Sequence, residues 1–243
     1  MKENLVRQWT DAKTYGVAIS GVDSCEDAMT TTERQPLTRE RIIQAAVDLA
    51  DEQGIDALSM RKLGSALGVE AMSLYNHVGG KDDILDSMVE YLFNSIGPID
   101  ATAGWQPTVR GAALAAKRAF ASHPWSITLI TTRQTLGDSS FAVMDAMVGM
   151  LLAEGYSTKI AHHAWHAIAS HVMGYAFQEI NSVFGSAGDP DQEEIADLIG
   201  QYSEQFPSLA AIGPHLMCCS YDEEFEFGLD LLLTGIASIK PTE

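Results

Sequence analysis

The sequence has few basic residues, few cysteines and no long apolar run, and each shortage excludes a class of protein. The chain has 15 lysine and arginine residues against 33 acidic residues, which gives a formal net charge of −18. The surface as a whole therefore repels polyanions such as nucleic acid. Three cysteines (Cys25, Cys218 and Cys219) are too few for a disulfide framework. No apolar run reaches the roughly 18 residues of a membrane span, and the first residues make a poor signal peptide. We therefore expect a cytoplasmic protein with no membrane association.

Signatures of catalysis are also missing, because the chain has no phosphate-binding loop, no nucleophile motif and no HExxH sequence. The nearest approach is HHAWH, in which His162, His163 and His166 stand at helical spacings that can hold zinc. Surface or interface histidines are the favoured interpretation. The sequence predicts no enzyme, no cofactor and no bound metal. Two alternatives stay open: a metal-dependent helical enzyme using these three histidines, and an interaction module that does not bind DNA.

Hydrophobic residues make up 46% of the chain, and where they recur they follow the period of an α-helix, so we predict an all-α fold. Residues 1–36 show no such period and are expected to be a flexible N-terminal extension. Helices are predicted between Thr38 and Gly54, over Ser59–Ala66, over Glu70–His77 and from Asp82 to Ile96. Further helices are predicted over Trp105–Ser122, Asp138–Glu154, Ser157–Val183, 191–206 and Asp222–Ile239.

The second and third predicted helices are short and meet at Gly68, the arrangement of a helix-turn-helix, whose second helix normally enters the major groove of DNA. The segment from Glu33 to Lys81 contains six basic and seven acidic residues, so it is nearly neutral within an acidic chain. Between Ser73 and Lys81 no carboxylate occurs. The polar side chains there are donors suited to phosphates and base edges: Ser73, Tyr75, Asn76, His77 and Lys81. Spacing alone leaves the solvated surface of an ordinary helical protein as an equal alternative.

The stretch LTRERIIQAAVDLADEQGIDALSMRKLGSALGVEAMSLYNHVGGKDDILDSM resembles the DNA-binding domain of the TetR family of bacterial transcription repressors. Further on, GWQPTVRGAALAAKRAFASHPW, LLAEGYS and HVMGYAFQE resemble the ligand domain of the subgroup that contains the tetracycline repressor. The resemblance implies a helix-turn-helix domain over residues 37–84 and a helical ligand-binding and dimerisation domain over residues 85–243. It also implies a homodimer that reads palindromic operator DNA and responds to a small-molecule effector.

The same resemblance assigns roles to the residues of the helix-turn-helix. Arg61 matches a base-reading arginine, and Lys81 matches a lysine that contacts phosphate. Positions that contact phosphate, the groove wall or the groove itself are matched by Ser73, Tyr75, Asn76 and His77. Ala71 and Met72 replace a polar–proline pair of the tetracycline repressor, so the operator sequence is not carried over.

The ligand domain is expected to bind a mostly apolar or aromatic effector, because pockets need aromatic walls with a few placed polar groups. Two magnesium-binding histidines of the tetracycline repressor align near Leu129 and Gly97, so no magnesium is expected. His171 and Glu179 resemble its ligand-approaching histidine and glutamate, and their spacing of about two turns predicts that both face one cavity. The full predicted set is Phe120, Trp125, Arg133, Met144, Met147, Trp165, His171, Phe177 and Glu179. The two predicted helices over Ser157–Val183 and Asp222–Ile239 match the dimer-forming pair of the family.

Overall fold

A computed structural model describes residues 36–99, 101–133, 137–181, 192–218 and 220–239. Within these ranges the chain forms α-helices and no strand, which confirms the predicted all-α fold. The predicted N-terminal extension, apart from Pro36, lies outside the described residues. The helices are α1 (Arg39–Gln53), α2 (Met60–Leu67), α3 (Ala71–Leu74), α4 (Lys81–Ser95), α5 (Trp105–Ser122), α6 (Trp125–Arg133), α7 (Asp138–Ala153), α8 (Thr158–Ile180), α9 (Gln192–Gln201), α10 (Pro207–Cys218) and α11 (Tyr221–Ser238).

The first four helices share a small apolar core. The Thr38 side chain accepts a hydrogen bond from the amide of Arg41 and starts α1, and the Ser59 side chain does the same for Lys62 at the start of α2. Each helix then turns one apolar stripe inward, which is the pattern that the sequence predicts. The fully buried members of this core include Ile42, Leu63, Leu74, Ile84 and Met88.

The third helix is shorter than predicted. Regular α-helical structure covers Ala71–Leu74, and a turn continues it towards His77. The amide of His77 bonds to the carbonyl of Leu74, three residues back, so the end of this segment is tighter than an α-helix. The prediction of a helix over Glu70–His77 is therefore corrected to one α-helical turn followed by a tight turn.

The second half of the chain is built around α8, which has 23 residues and packs against α5, α7 and α11. Its small buried residues Ala161, Ala164 and Ala176 allow these neighbours to approach closely. From α11, Phe225 and Leu229 enter the resulting core and are completely buried.

Two helices were not predicted, α6 and α10. The nine-residue α6 follows Pro124 and is too short for a clear apolar period, and α10 contains Pro214 in its interior, a residue that normally argues against a helix. The predicted end of the long helix at Val183 lies outside the described residues, and α8 itself is assigned to Ile180.

The predicted domain boundary between residues 84 and 85 falls inside α4, which is continuous from Lys81 to Ser95. The described residues from Leu37 onwards form one compact unit. No single described helix is long and apolar enough to cross a membrane. The pair α6 and α7 reaches the required length and composition only when the two are taken together, and they are bent by 89° at the break between them.

Candidate nucleic-acid interface and ligand cavity

Two glycines fix the geometry of the helix-turn-helix. Gly68 adopts the left-handed conformation (φ 67°, ψ 33°), and its amide bonds to the carbonyls of Gly64 and Ser65, which closes α2. Gly64 lies directly against the next segment: a Cβ atom there would stand 2.8 Å from the carbonyl oxygen of Val69 and 3.1 Å from the amide nitrogen of Ala71. Backbone meets backbone at this point, so the angle between α2 and α3 depends on the absence of a side chain at Gly64.

The predicted DNA-contacting residues occupy the outer surface of this unit. The exposed side chains are those of Arg61, Asn76, His77, Lys81 and, with 49% of its surface accessible, Tyr75; Ser73 is half-buried. Neither the Arg61 nor the Lys81 side chain makes a hydrogen bond or ion pair with another described residue, so both cations are available.

Met72 is a further candidate, which the sequence suggested only as a departure from the family pattern. Its side chain is 74% exposed, the most exposed large apolar side chain among those described. An apolar group on the surface of α3 is suited to contact the methyl group of thymine. The sequence signal that could have identified it is a methionine directly before the polar cluster that begins at Ser73.

A bidentate ion pair holds α1 against the start of α4. The Arg39 guanidinium donates to both carboxylate oxygens of Asp83, at 2.8 and 2.6 Å, and to the hydroxyl of Ser87 at 2.7 Å. Asp83 also accepts from the amide of Gly79 at 2.7 Å, which fixes the turn that follows α3. The hydrogen bonds from Arg39 and then from Gly79 lower the pKa of Asp83 from 3.8 to about 2.

This ion pair predicts a specific acid sensitivity. The folded-state pKa lies below the unfolded value, so the stabilisation is complete above about pH 4 and is lost as pH falls towards 2. We expect Asp83→Asn to lower the free energy of unfolding by roughly 1 kcal/mol at pH 6, since both partners are partly exposed and screened. Urea titrations at pH 6, 4 and 3 should show that the difference in free energy of unfolding between the variant and the native protein becomes smaller as the pH falls. Asp48→Asn, which removes an exposed carboxylate of α1 that accepts a hydrogen bond from Gln44, is the control. A pH-independent difference would contradict the assignment.

The end of α6 is bound to the first half of α4 through Arg133. Its guanidinium donates to Asp86 (Nε to Oδ1, 2.7 Å), to the carboxylate of Asp82 (3.0 Å) and to the backbone carbonyl of Asp82 (3.3 Å). Arg133, a predicted pocket residue, is therefore bound to α4 and is not among the lining residues of the two cavities described below.

The beginning of α7 is bound to the second half of α4. The Glu90 carboxylate accepts from the amide of Ser139 at 2.9 Å, and the Ser139 hydroxyl donates to Asn94 at 2.9 Å. An acid at a helix N-terminus is favoured by the helix dipole. Gly137 makes room for this contact, because a Cβ atom there would overlap the Glu90 carboxylate. The end of α6 and the beginning of α7, which come before and after residues 134–136 in the sequence, are thus both bonded to α4.

A third attachment joins α1 to the turn between α5 and α6. Asp51 accepts a hydrogen bond from the indole nitrogen of Trp125 at 2.6 Å, and its carboxylate lies 2.9 Å from Nδ1 of His123. Trp125, a predicted ligand residue, is buried in the core of the first four helices. Its indole ring therefore helps to join the two halves of the chain, and it is not among the lining residues of the two cavities described below.

An apolar cavity of about 180 Å³ lies among α4, α5, α6, α7 and α8. Three predicted ligand residues, Phe120, Met147 and Trp165, line it. The other lining residues are also apolar: Phe93, Ile96, Ala112, Ala113, Ala116, Ile130, Val143, Ile168, Ala169, Val172 and Met173. A fourth predicted residue, Met144, lines a separate groove between α7 and α8, which Trp165 also borders.

The two predicted polar anchors do not face this cavity. His171 Nε2 lies 2.9 Å from the backbone oxygen of Phe225, and its ring packs against Gly228 of α11. Glu179 lies 3.2 Å from Nζ of Lys117, a lysine with a 4% exposed side chain that also pairs with Asp222. The two residues do share one side of α8, as their spacing predicts, but that side faces α11 and α5.

The buried lysine keeps its charge. Burial pushes the pKa of Lys117 down, but hydrogen bonds to Asp222 and Glu179 outweigh it and leave the pKa above its usual value.

The remaining predicted pocket residue, Phe177, has 55% of its surface exposed on α8.

The histidine cluster lies on the outside of α8. His162, His163 and His166 are all exposed, and the closest ring centroids, those of His162 and His166, are 4.5 Å apart. Among the described residues there is no group of three or more histidine, cysteine, aspartate or glutamate side chains that could hold a metal ion.

Comparison with known proteins gives the same assignment in both halves of the chain. Residues 42–88 match the family described as bacterial regulatory proteins, tetR family, and residues 98–239 match the tetracycline repressor-like C-terminal domain. An HTH-type transcriptional regulator of Saccharopolyspora erythraea is 29% identical over 204 residues, which is 83% of this chain and 85% of that protein.

Two further relatives extend the comparison. The HTH-type transcriptional repressor DrrR1 of Streptomyces coeruleorubidus is 28% identical over 214 residues, covering 82% of this chain and 77% of the relative. The crystal structure of the Streptomyces coelicolor TetR family protein ActR in complex with actinorhodin superposes with a TM-score of 0.69 at 25% identity, over 84% of this chain and 96% of ActR. The similarity thus spans the helix-turn-helix and the cavity-bearing helices together.

Proposed function

Because this chain belongs to the tetR family of bacterial regulatory proteins, we propose that it is a DNA-binding transcriptional repressor released from its operator by a small apolar or aromatic effector. It acts by binding and not by catalysis. The observation that carries the proposal is the physical connection between the helix-turn-helix and the cavity. Helix α4 is bonded through Asp83 to α1 of the helix-turn-helix domain, which we call the head. Through Asp86 and Glu90 the same helix is bonded to α6 and α7, which line the cavity.

DNA binding is supported by the charge and exposure of the helix-turn-helix. In a chain of net charge −18, the surface around α3 carries exposed donors and no carboxylate between Ser73 and Lys81. We propose that Arg61 reads a base, that Lys81 contacts phosphate, and that the groove or backbone is contacted by Ser73, Tyr75, Asn76 and His77.

Effector binding is supported by the cavity. Its lining is entirely apolar, and an apolar cavity of about 150 Å³ is large enough for benzene. Phe120, Met147 and Trp165 are the ligand contacts that we retain from the predicted set. Drug-sized ligands need roughly 300–1,000 Å³, so a larger effector must displace lining side chains. Neither the comparisons nor the described side chains support a metal-dependent enzyme built on the three histidines.

A homodimer is supported by an apolar strip on α8 and α11. Phe227 and Leu231, four residues apart on α11, have 69% and 59% of their surfaces exposed, and Phe177 of α8 is 55% exposed. Two such helices from each subunit form a four-helix bundle. A two-fold dimer places two identical heads on a palindromic operator.

We expect a gel shift with the DNA upstream of the protein's own gene to show one complex containing two subunits. Footprinting should locate a palindrome whose half-sites are both protected. A protein that is monomeric by light scattering, or that protects one asymmetric half-site, would contradict the proposal. Compounds that raise the melting temperature then identify effector candidates, since a ligand bound only by the folded state stabilises it.

Replacing Lys81 and Arg61 separately with alanine should produce two different defects. Loss of a phosphate contact weakens binding to all sequences alike and reduces the salt slope by about one. Loss of a base contact costs roughly 1–3 kcal/mol on the operator and relaxes preference at one position of each half-site. Fluorescence anisotropy on operator and random duplexes at several salt concentrations separates the two. Equal losses on both duplexes for Arg61→Ala would make Arg61 a phosphate contact.

A further inference from the structure

The groove between α7 and α8 combines aromatic walls with two unpaired carboxylates. Its volume is about 650 Å³, and its lining includes Asp138, Phe141, Asp145, His162 and Trp165. The side chains of Asp138 and Asp145 are exposed and make no hydrogen bond or ion pair with any residue that the structure describes. Among its described lining residues there is no lysine or arginine to balance them, and His162 is the one basic side chain.

The acids and aromatic rings are arranged on facing helices. Asp138, Phe141 and Asp145 stand at i, i+3 and i+7 and therefore share one face of α7. Helices α7 and α8 form a hairpin that turns at Gly155, and Asp145 and Trp165 stand equally far from that turn along the chain. The Asp145 carboxylate and the Trp165 indole thus lie at about the same level, on opposite walls of the groove.

Trp165 also connects this groove to the inner cavity, since it lines both. On one side of the indole is a wholly apolar space of about 180 Å³, and on the other is the acidic groove. The groove presents a large apolar side chain to solvent as well, because 52% of the Phe141 surface is exposed. A ligand that reaches past Trp165 therefore meets apolar surface at one end and negative charge at the other.

We propose that this groove binds the cationic end of the effector, an amine or quaternary ammonium group carried on an aromatic or apolar body. Asp138 and Asp145 supply the opposite charge, and the faces of Trp165 and Phe141 supply cation–π attraction. The apolar body enters the inner cavity past Trp165. This inference rests on the proposed function for the release of DNA, but the binding step can be measured without DNA.

The test uses three probes with one body and different charges: phenylbutyl-trimethylammonium, phenylbutanol and phenylbutyrate. Isothermal titration of the full-length protein should show the ammonium binding about tenfold more tightly than the alcohol, with the carboxylate weakest. Asp138→Asn combined with Asp145→Asn should remove this preference and leave alcohol affinity within about twofold. Asp56→Asn, which neutralises an exposed acid in the first half of the chain, is the matched control and should retain it.

Other outcomes overturn the proposal. Equal affinity for the ammonium and the alcohol, a preference that survives in the double variant, or no binding of any probe would each do so. If Phe141→Ser converts a dimer to a monomer while no probe binds, the groove is a subunit contact. Failure of the gel shift with ammonium selectivity intact refutes the repressor and keeps the cation site. Operator binding without ammonium selectivity refutes only the cation site.

Discussion

The Gly64→Ala variant is expected to lose operator binding, by more than about 100-fold, while the second half of the chain stays folded. The new methyl group would stand 2.8 Å from the carbonyl oxygen of Val69 and 3.1 Å from the amide of Ala71, and backbone atoms cannot rotate away as a side chain can. Either α2 and α3 separate or the turn at Gly68 distorts. We expect a destabilisation of roughly 2–4 kcal/mol, at the upper end of the cost of overpacking.

Gly111→Ala is the matched control for this substitution. Gly111 lies in the interior of α5 with no heavy atom within 4 Å of the place that an added methyl group would occupy, so alanine there should stabilise the protein by about 0.5–1 kcal/mol through helix propensity. Circular dichroism and anisotropy on operator DNA measure both variants. If Gly64→Ala binds the operator as the native protein does, the close approach of α2 to α3 is not what orients the recognition segment.

Gly228→Ala is expected to weaken the packing of α8 against α11 by roughly 1–3 kcal/mol, the usual cost of an extra methyl group in a packed core. Its Cβ atom would stand 2.5 Å from Cε1 and 3.3 Å from Nδ1 of the His171 ring. That ring is also held by the backbone oxygen of Phe225, so it cannot move without losing the hydrogen bond. Subunit association should weaken with stability, because the same helix pair carries the proposed dimer strip.

The collision can be relieved by removing the ring. The double variant Gly228→Ala with His171→Ala should recover stability relative to the sum of the two single variants, a coupling that a double-mutant cycle measures. Gly149→Ala, in α7 with no heavy atom within 4 Å of a new methyl group, controls for the effect of alanine in a helix. Strict additivity of the two substitutions would show that His171 does not pack against Gly228 in solution.

The first part of the fold was predictable because its determinants are local. Thr38 and Ser59 cap the helices that follow them, and Gly68 supplies the left-handed turn between two short helices. These signals lie within a few residues of the structures that they specify. The exposed surface from Ser73 to Lys81 followed from the same reasoning, since polar side chains on a short helix face water unless a partner covers them.

The ligand side was less predictable because helical spacing identifies a shared face but not the neighbour that the face meets. His171 and Glu179 do lie on one side of α8, yet the sequence does not show that α11 and α5 cover that side. The partner of Arg133 was equally hidden, since Asp86 lies 47 residues away along the chain. The short α6 and the proline-containing α10 were missed for a simpler reason, because the first lacks a measurable period and the second contains a helix breaker.

The ion pairs along α4 have a consequence for building chimeric regulators. Asp82 and Asp86 bind Arg133 of the ligand domain, whereas Asp83, between them in sequence, binds Arg39 of the head. A swap of heads at a junction between residues 84 and 85 would bring a foreign residue to position 82 while Asp86 and Arg133 stay behind. Grafted heads without an acid at position 82 should therefore be held to the recipient's Arg133 more weakly, through Asp86 and the backbone carbonyl of residue 82. Exchanging the two halves of such a regulator therefore requires matching residues in the turn of α4 from Asp82 to Asp86.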